Sequence, residues 1–316
     1  MNKVYVSHQI PEVGLSLLRD RVELRVWQGP GPVPREVFLN VVSDADGVIA
    51  TLTERIDGEF FDHAPRVKVV SNYAVGYNNV DVAEAIARGV RITNTPGVLT
   101  EATADVAFGL LMAAARRFSE AERFLRSGQW LCWHSTMLLG REIFGATLGL
   151  VGYGRIARAV ARRARGFGMT VLYHTPSGPK PDVQDASWVP LEELLRKSDF
   201  VSLHCPLTEA THHLIGAAEL AAMKPDGVLI NTARGDVVDQ ESLVRALKDG
   251  NIMAAGLDVY SDEPLAVDDP LLSLDNVVLL PHIGSATREA REAMAVMAAS
   301  NVLAVLDGDS PKNPVN

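Results

Sequence analysis

Three stretches in the carboxyl-terminal half carry the side chains best suited to chemistry. "NTARGDVVD" brings Arg234, "LDVYSDEP" brings Asp258 and Glu263, and "LLPHIGSAT" brings His282. Each follows an apolar run of the kind that forms a buried strand, so a guanidinium, carboxylates and an imidazole are delivered to one sheet edge. Singly, each has a plainer reading: Arg234 as a helix-start ion pair, Glu263 as a turn residue before Pro264, His282 as a satisfied core histidine. Together they suit hydride transfer to a 2-oxo acid. Arg234 can grip a carboxylate through a two-pronged fork. His282 can give a proton to the carbonyl oxygen as hydride reaches the carbon. Glu263, hydrogen-bonded to the imidazole, would favour its protonated form.

A fourth stretch, "GLVGYGRIARAVARRA", places Gly152, Tyr153, Gly154, Arg155, Ile156 and Ala157 directly after an apolar strand and at the opening of a helix. There the first glycine permits a tight turn, the second lets a pyrophosphate approach the backbone, and the small residue at 157 lets helix and strand pack closely. The helix amino terminus adds free N–H groups. A dinucleotide site is expected, with an ordinary structural turn as the duller alternative. About 20 positions on, where an acid would hold the ribose hydroxyls, the chain instead has His174, Thr175, Pro176 and Ser177. Nothing there repels a 2′-phosphate and the side chains could hydrogen-bond one, so NADP(H) is favoured. No arginine follows immediately, so NAD(H) remains possible.

Positioning these residues requires parallel sheets. From "KVYVS" through "VELRVW", "DGVIA", "VKVVSNYA" and "RITNT", β-branched runs alternate with helical periodicity. After Pro96-Gly97 the alternation pauses for a long helix opening near Thr100-Glu101 and running through Arg116. A Trp- and Gly-rich connection, "SGQWLCWHSTMLLGREIFGA", precedes a second series: "TLGLVGYG", "TVLYH", "FVSLHCP", "GVLINTA", "MAAGLDV" and "NVVLLPHIG". A last helix is expected over roughly 286 to 306. The fold class is α/β, with two doubly wound, Rossmann-like parallel-sheet domains and a cleft between them.

Composition narrows the function classes. The 316 residues are 47% hydrophobic and 22% charged, with net charge −9, which argues against nucleic acid or an anionic membrane as the main partner. Arg162, Arg163 and Arg165 read as a solvated helix face. The apolar stretches "ATADVAFGLLMAAA" and "AMAVMAASNVLAVL" are shorter than the roughly 20 residues of a membrane span and read as buried helices. The amino terminus lacks the features of a signal peptide, so a cytoplasmic location is expected. Cys132 and Cys205 have no paired spacing, so neither a disulfide framework nor a metal site is expected.

In this order and spacing, "GYGRIA", "NTARGDVVD", "LDVYSDEP" and "PHIGSAT", with "SNYAVGYNNVDV" and "NTPGVLTEATADVAFGLLMAAARR", resemble the D-isomer-specific 2-hydroxyacid dehydrogenase family over nearly the whole chain. "NYAVGYNN" and "GQWLCW" are most like its glyoxylate/hydroxypyruvate reductases. The resemblance implies that Arg234 binds substrate, Glu263 tunes the acid, His282 is the acid/base and Asp258 meets the nicotinamide amide. It implies that Val75 and Gly76 hold the substrate carboxylate, with Leu52 alongside and Ser285 as a further substrate contact, and that Thr103 approaches the nicotinamide. The remaining implied cofactor contacts are Cys205, Pro206, Thr211, Thr232, Ala233 and Gly284. Relatives lacking the acid after the second strand use NADP, which agrees with the residue reading.

The family plan implies a flavodoxin-like substrate domain over 1–98 plus 287–316 and a dinucleotide-binding domain over 99–286. The crossings would hinge a closing cleft. It also implies a homodimer whose "SGQWLCWHS" arm reaches the neighbouring subunit, where Trp133 would wall the partner's substrate pocket or else be a buried structural tryptophan. The activity implied is reduction of glyoxylate and hydroxypyruvate. A 2-ketogluconate, phenylpyruvate or phosphoglycerate-type activity is the alternative within the family, and a dinucleotide-sensing interaction protein the alternative outside it.

Overall fold

A computed structural model describes all 316 residues, which divide into two compact units: Met1–Leu99 with Ser285–Asn316, and Thr100–Gly284. The first unit runs β1 (Lys3–Val6), α1 (Glu12–Arg19), β2 (Glu23–Val26), α2 (Arg35–Val42), β3 (Gly47–Ala50), α3 (Gly58–His63), β4 (Val69–Asn72), α4 (Val82–Ala87) and β5 (Arg91–Thr93). The second runs α5 (Thr100–Ala115), α6 (Phe118–Arg126), β6 (Thr147–Val151), α7 (Arg155–Gly166), β7 (Thr170–His174), β8 (Ser187–Trp188), α8 (Leu191–Lys197), β9 (Phe200–Leu203), α9 (Ala217–Ala222), β10 (Val228–Asn231), α10 (Gln240–Lys248), β11 (Ala254–Leu257) and β12 (Val277–Leu279). The last helix, α11 (Arg288–Leu306), returns to the first unit.

Both sheets are parallel throughout, as the alternation predicts. The five strands of the first lie in the order β2-β1-β3-β4-β5, and the seven of the second in the order β12-β11-β10-β9-β6-β7-β8. Strand order reverses between β6 and β9, and a doubly wound sheet binds its ligand beyond the strand ends at such a switch point. Inner strands β3, β4, β9, β10 and β11 are buried at every position, which is why they read as continuous apolar runs. Edge strand β2 carries Glu23 and Arg25 and stays partly exposed, which discourages pairing with another chain.

Helix α11 closes the first unit with small side chains: a Cβ added to Gly14 of α1 would come within 2.6 Å of the Ala295 Cβ. Arg162, Arg163 and Arg165 of α7 are ion-paired rather than merely solvated. Arg162 and Arg163 both reach Glu101, Arg163 reaches Asp105 at 2.6 Å, and Arg165 reaches Asp185 at 3.2 Å. Three elements depart from the sequence reading. Helix α5 ends at Ala115, just before Arg117 turns left-handed at φ 54°. Helix α6 follows and buries none of its residues within the chain, so no core stripe marks it. Strand β8 is only two residues long, too short to show a periodicity.

Candidate active site

Gly152 turns the chain from β6 into α7 with φ +85°, and a Cβ there would lie 2.7 Å from the Cys205 backbone nitrogen. Only glycine satisfies both constraints. Gly154 is the N-cap of α7 with no side-chain cap, and a Cβ built on it would meet nothing within 4 Å. An uncapped twelve-residue helix opening onto free space, with no acid in its first turn, fits the pyrophosphate of a dinucleotide. Ala157 is fully buried beneath it, and Arg155 is exposed. The Tyr153 side chain points into the core, stacked on Tyr173 at 4.3 Å with its hydroxyl pushed up to about 12 by burial. Only its backbone can face a phosphate.

At the end of β7, His174 Nδ1 donates to the Val189 carbonyl at 3.2 Å, and the buried Thr175 hydroxyl donates to the Gly178 carbonyl at 2.8 Å. Ser177 alone among the three is exposed. The acids of the following loop are neutralised from α7, with Arg158 on Asp182 at 2.9 Å and Arg165 on Asp185. After β9, burial pushes the Cys205 thiol up to about 11, so it is no nucleophile at neutral pH. Thr211 donates to the exposed Pro206's carbonyl at 2.7 Å, holding that loop. The Thr232 hydroxyl, beside Ala233 after β10, is buried with no partner. Thr103 is buried on α5, and a Cβ on Gly284 would come within 3.4 Å of it.

The candidate acid/base pair is assembled from the segments after β11 and β12. His282 Nδ1 and Glu263 Oε2 are 2.6 Å apart, and about a third of each side chain is exposed. The other carboxylate oxygen, Oε1, accepts the Tyr260 N–H at 3.1 Å, which fixes the glutamate. Burial pushes the Glu263 carboxyl up, but the His282 hydrogen bond and charge, the Tyr260 N–H and the Arg234 charge outweigh it, and the net shift is down. Glu263 therefore stays ionised against the imidazole, and their bond engages Nδ1 rather than Nε2. The shift also places Arg234 within electrostatic reach of the pair.

Arg234 is itself clamped. Its Nη1 donates to the Ala233 carbonyl at 2.7 Å, and burial lowers its pKa against the opposing pull of Glu263. Asn231 Nδ2 donates to the Arg234 carbonyl at 2.8 Å while its Oδ1 accepts the Ala233 N–H at 3.0 Å. Gly235 lies so close to Tyr260 that a Cβ would come 1.8 Å from the Tyr260 carbonyl carbon. Asp258 is 1% exposed and accepts the N–H groups of Ile283 and Gly284, each at 2.7 Å. Burial raises its pKa despite those bonds. Asp258 thus shapes the turn leaving His282. The sequence reading missed Asn231 and Tyr260, although a polar residue closing an apolar strand was a visible signal for the first.

The remaining candidates lie elsewhere. Leu52 sits in the bend after β3, and Val75 and Gly76 follow β4, all in the first unit. Ser285 begins that unit's return segment. Trp133 is 74% exposed and so is no core tryptophan of this chain. Ligand-type atoms of His212, His213 and Asp236 cluster within 4.8 Å, and the two imidazoles stack at 4.0 Å and 26°. A cavity of about 410 Å³ lined by Arg117, Glu120, Leu139, Met253 and Asn276 opens at the amino-terminal ends of β11 and β12, the edge opposite the catalytic tips.

Comparison with known proteins places the chain by family and fold. Residues 108–284 match the family described as D-isomer specific 2-hydroxyacid dehydrogenase, NAD binding domain. The glyoxylate reductase of Thermococcus gammatolerans is 52% identical over 321 residues, covering 99% of this chain and 96% of that one. The crystal structure of the TT0316 protein of Thermus thermophilus superposes with a TM-score of 0.94 at 49% identity, over 99% of this chain and 100% of that one. A Sinorhizobium meliloti NADPH-dependent glyoxylate/hydroxypyruvate reductase, in complex with NADP and malonate, superposes with a TM-score of 0.88 at 35% identity over 99% of this chain and 96% of that one.

Proposed function

The chain belongs to the D-isomer-specific 2-hydroxyacid dehydrogenase family and is an oxidoreductase with a nicotinamide-dinucleotide-binding domain, and on that footing we propose that it reduces small 2-oxo acids, glyoxylate and hydroxypyruvate first. The observation that carries this reading is the 2.6 Å His282–Glu263 pair, with Arg234 acting on the same glutamate. A nicotinamide dinucleotide, when bound, would supply the hydride. Arg234 binds and orients the substrate carboxylate through its fork. His282 in its imidazolium form gives its Nε2 proton to the carbonyl oxygen and is left neutral, while Glu263 accepts from Nδ1–H and fixes which nitrogen faces the substrate. In the reverse direction an unprotonated His282 accepts the hydroxyl proton. Leu52, Val75 and Gly76 are proposed as further substrate contacts, the last two offering N–H groups to a carboxylate.

NADP(H) is the favoured cofactor. No carboxylate closes β7, Ser177 exposes a hydroxyl there, and Asp182 and Asp185 are neutralised by arginines. Initial rates with glyoxylate and hydroxypyruvate, each with NADPH and NADH, test both points. The expected result is turnover favouring NADPH. Preference for NADH overturns the cofactor assignment alone, and no turnover with either cofactor overturns the substrate assignment.

The protein is proposed to act as a homodimer. The run from α6 to the start of β6 exposes Phe118, Leu125, Trp130, Leu131, Trp133 and Leu139, with Leu131 92% exposed. Exposed apolar side chains repeated along one segment are what a second copy of the same arm would cover.

A further inference from the structure

The loop proposed to receive the substrate carboxylate is held from its own unit by two side chains and a backbone N–H. Three successive carbonyls are each held by the body of the first unit: Ala74 O by the Thr95 N–H at 2.9 Å, Val75 O by Asn94 Nδ2 at 2.8 Å, and Gly76 O by Asn72 Nδ2 at 2.8 Å. In a trans peptide the C=O and the next N–H point opposite ways. Anchoring those oxygens inward therefore turns the N–H groups of Val75, Gly76 and Tyr77 outward, and none of the three donates to a protein acceptor. Such a row of N–H groups is an anion nest.

We propose that Asn94 and Asn72 are positioning residues that preset this nest by gripping the Val75 and Gly76 carbonyls. The assignment deepens the proposed function and rests on its reading of this loop. The chemistry explains why the residues are asparagines. An amide supplies a neutral N–H donor on a short stem, whereas an aspartate of the same shape would set a second oxygen against the carbonyl. Asn72 is fully buried and further tied to Asn79, with its Nδ2 3.2 Å from Asn79 Oδ1 and its Oδ1 accepting from Asn79 Nδ2 at 3.1 Å. The Asn79 amide also donates to the Thr51 and Glu54 carbonyls, each at 3.0 Å. The Leu52 bend and the nest thus share one amide network, and the nest is rigid before any anion arrives. Prepaid orientation of this kind raises affinity for the carboxylate without altering the dinucleotide site.

The test uses the full-length protein saturated with NADPH and titrates oxalate, a stable dicarboxylate, by calorimetry in the wild type, Asn94→Asp and Asn72→Asp. Both variants are expected to bind oxalate about tenfold more weakly, the worth of one hydrogen bond to a charged group. NADPH affinity is expected to stay within about twofold, since that site lies in the other unit. The KM for glyoxylate should rise by a similar factor while kcat changes little. Acidification supplies a readout that mere destabilisation would not, because a protonated carboxyl regains a donor. The gap between variant and wild type should therefore narrow as pH falls toward about 5. Asn94→Ser, with a neutral donor of shorter reach, should fall between the two. Wild-type-like oxalate binding by the Asp variants, or a gap independent of pH and accompanied by lost NADPH affinity, overturns the positioning role and leaves the site reading standing. A wild-type protein that neither binds oxalate nor reduces any 2-oxo acid overturns the reading and the inference together.

Discussion

His282 adopts φ +53°, a left-handed conformation that costs a residue with a Cβ about 1–2 kcal/mol and persists only where its surroundings enforce it. The enforcing contacts are visible: Asp258 takes the two N–H groups that follow, and Glu263 takes the ring. Strain and hydrogen bonding together aim one imidazole nitrogen away from the glutamate, which is what an acid/base group needs. His282→Ala is accordingly expected to lower kcat for 2-oxo acid reduction by about 10²–10⁴-fold. NADPH affinity, read by quenching of tryptophan fluorescence, should stay within about twofold. An unchanged kcat would remove His282 from the acid role. The types of these residues were legible in the sequence because Arg, Glu and His each followed an apolar run. Their support was less so: Asn231 was visible as a polar residue closing an apolar strand, but its bonds to backbone groups and the Tyr260 N–H are announced by no side-chain pattern.

Two strand ends make distinct predictions at the scale of elements. The end of β7 carries no acid, so His174→Asp is expected to move the ratio of catalytic efficiencies toward NADH by about tenfold, through repulsion of the 2′-phosphate and a bond to the ribose hydroxyls. An unmoved ratio would place the 2′ position away from this turn. The end of β9 carries His204, whose Nε2 lies 2.9 Å from the Ser202 hydroxyl and whose pKa is driven by burial from 6.5 to about 4. The fold therefore favours the neutral ring. That contribution to stability is complete above pH 6.5 and is lost as pH falls from 6.5 to about 4. A shift of that size corresponds to about 3 kcal/mol. Urea unfolding of His204→Gln should show that much less decline in stability over this range than the wild type. Equal slopes would mean that other groups carry the acid sensitivity.

At the scale of the whole molecule, the exposed arm after α5 is the feature a single chain does not explain. Leu131→Asp should convert the proposed dimer to a monomer, because a charge in an apolar interface costs more than the lost contact. Light scattering coupled to size exclusion at micromolar concentration checks this, and a wild type already monomeric would refute the dimer. The sequence by itself determined the parallel α/β class, the dinucleotide turn at Gly152 and the chemical types at three strand tips. These follow from local rules: period, glycine placement, and the polar residue that ends a buried strand. Only the tertiary structure decided which hydroxyl at the end of β7 is exposed, that Tyr153 stacks into the core, and that three successive carbonyls are turned inward above Asn72 and Asn94. Each of those depends on a partner distant in sequence or on the direction of a peptide plane, and neither is encoded in the spacing of side chains along the chain.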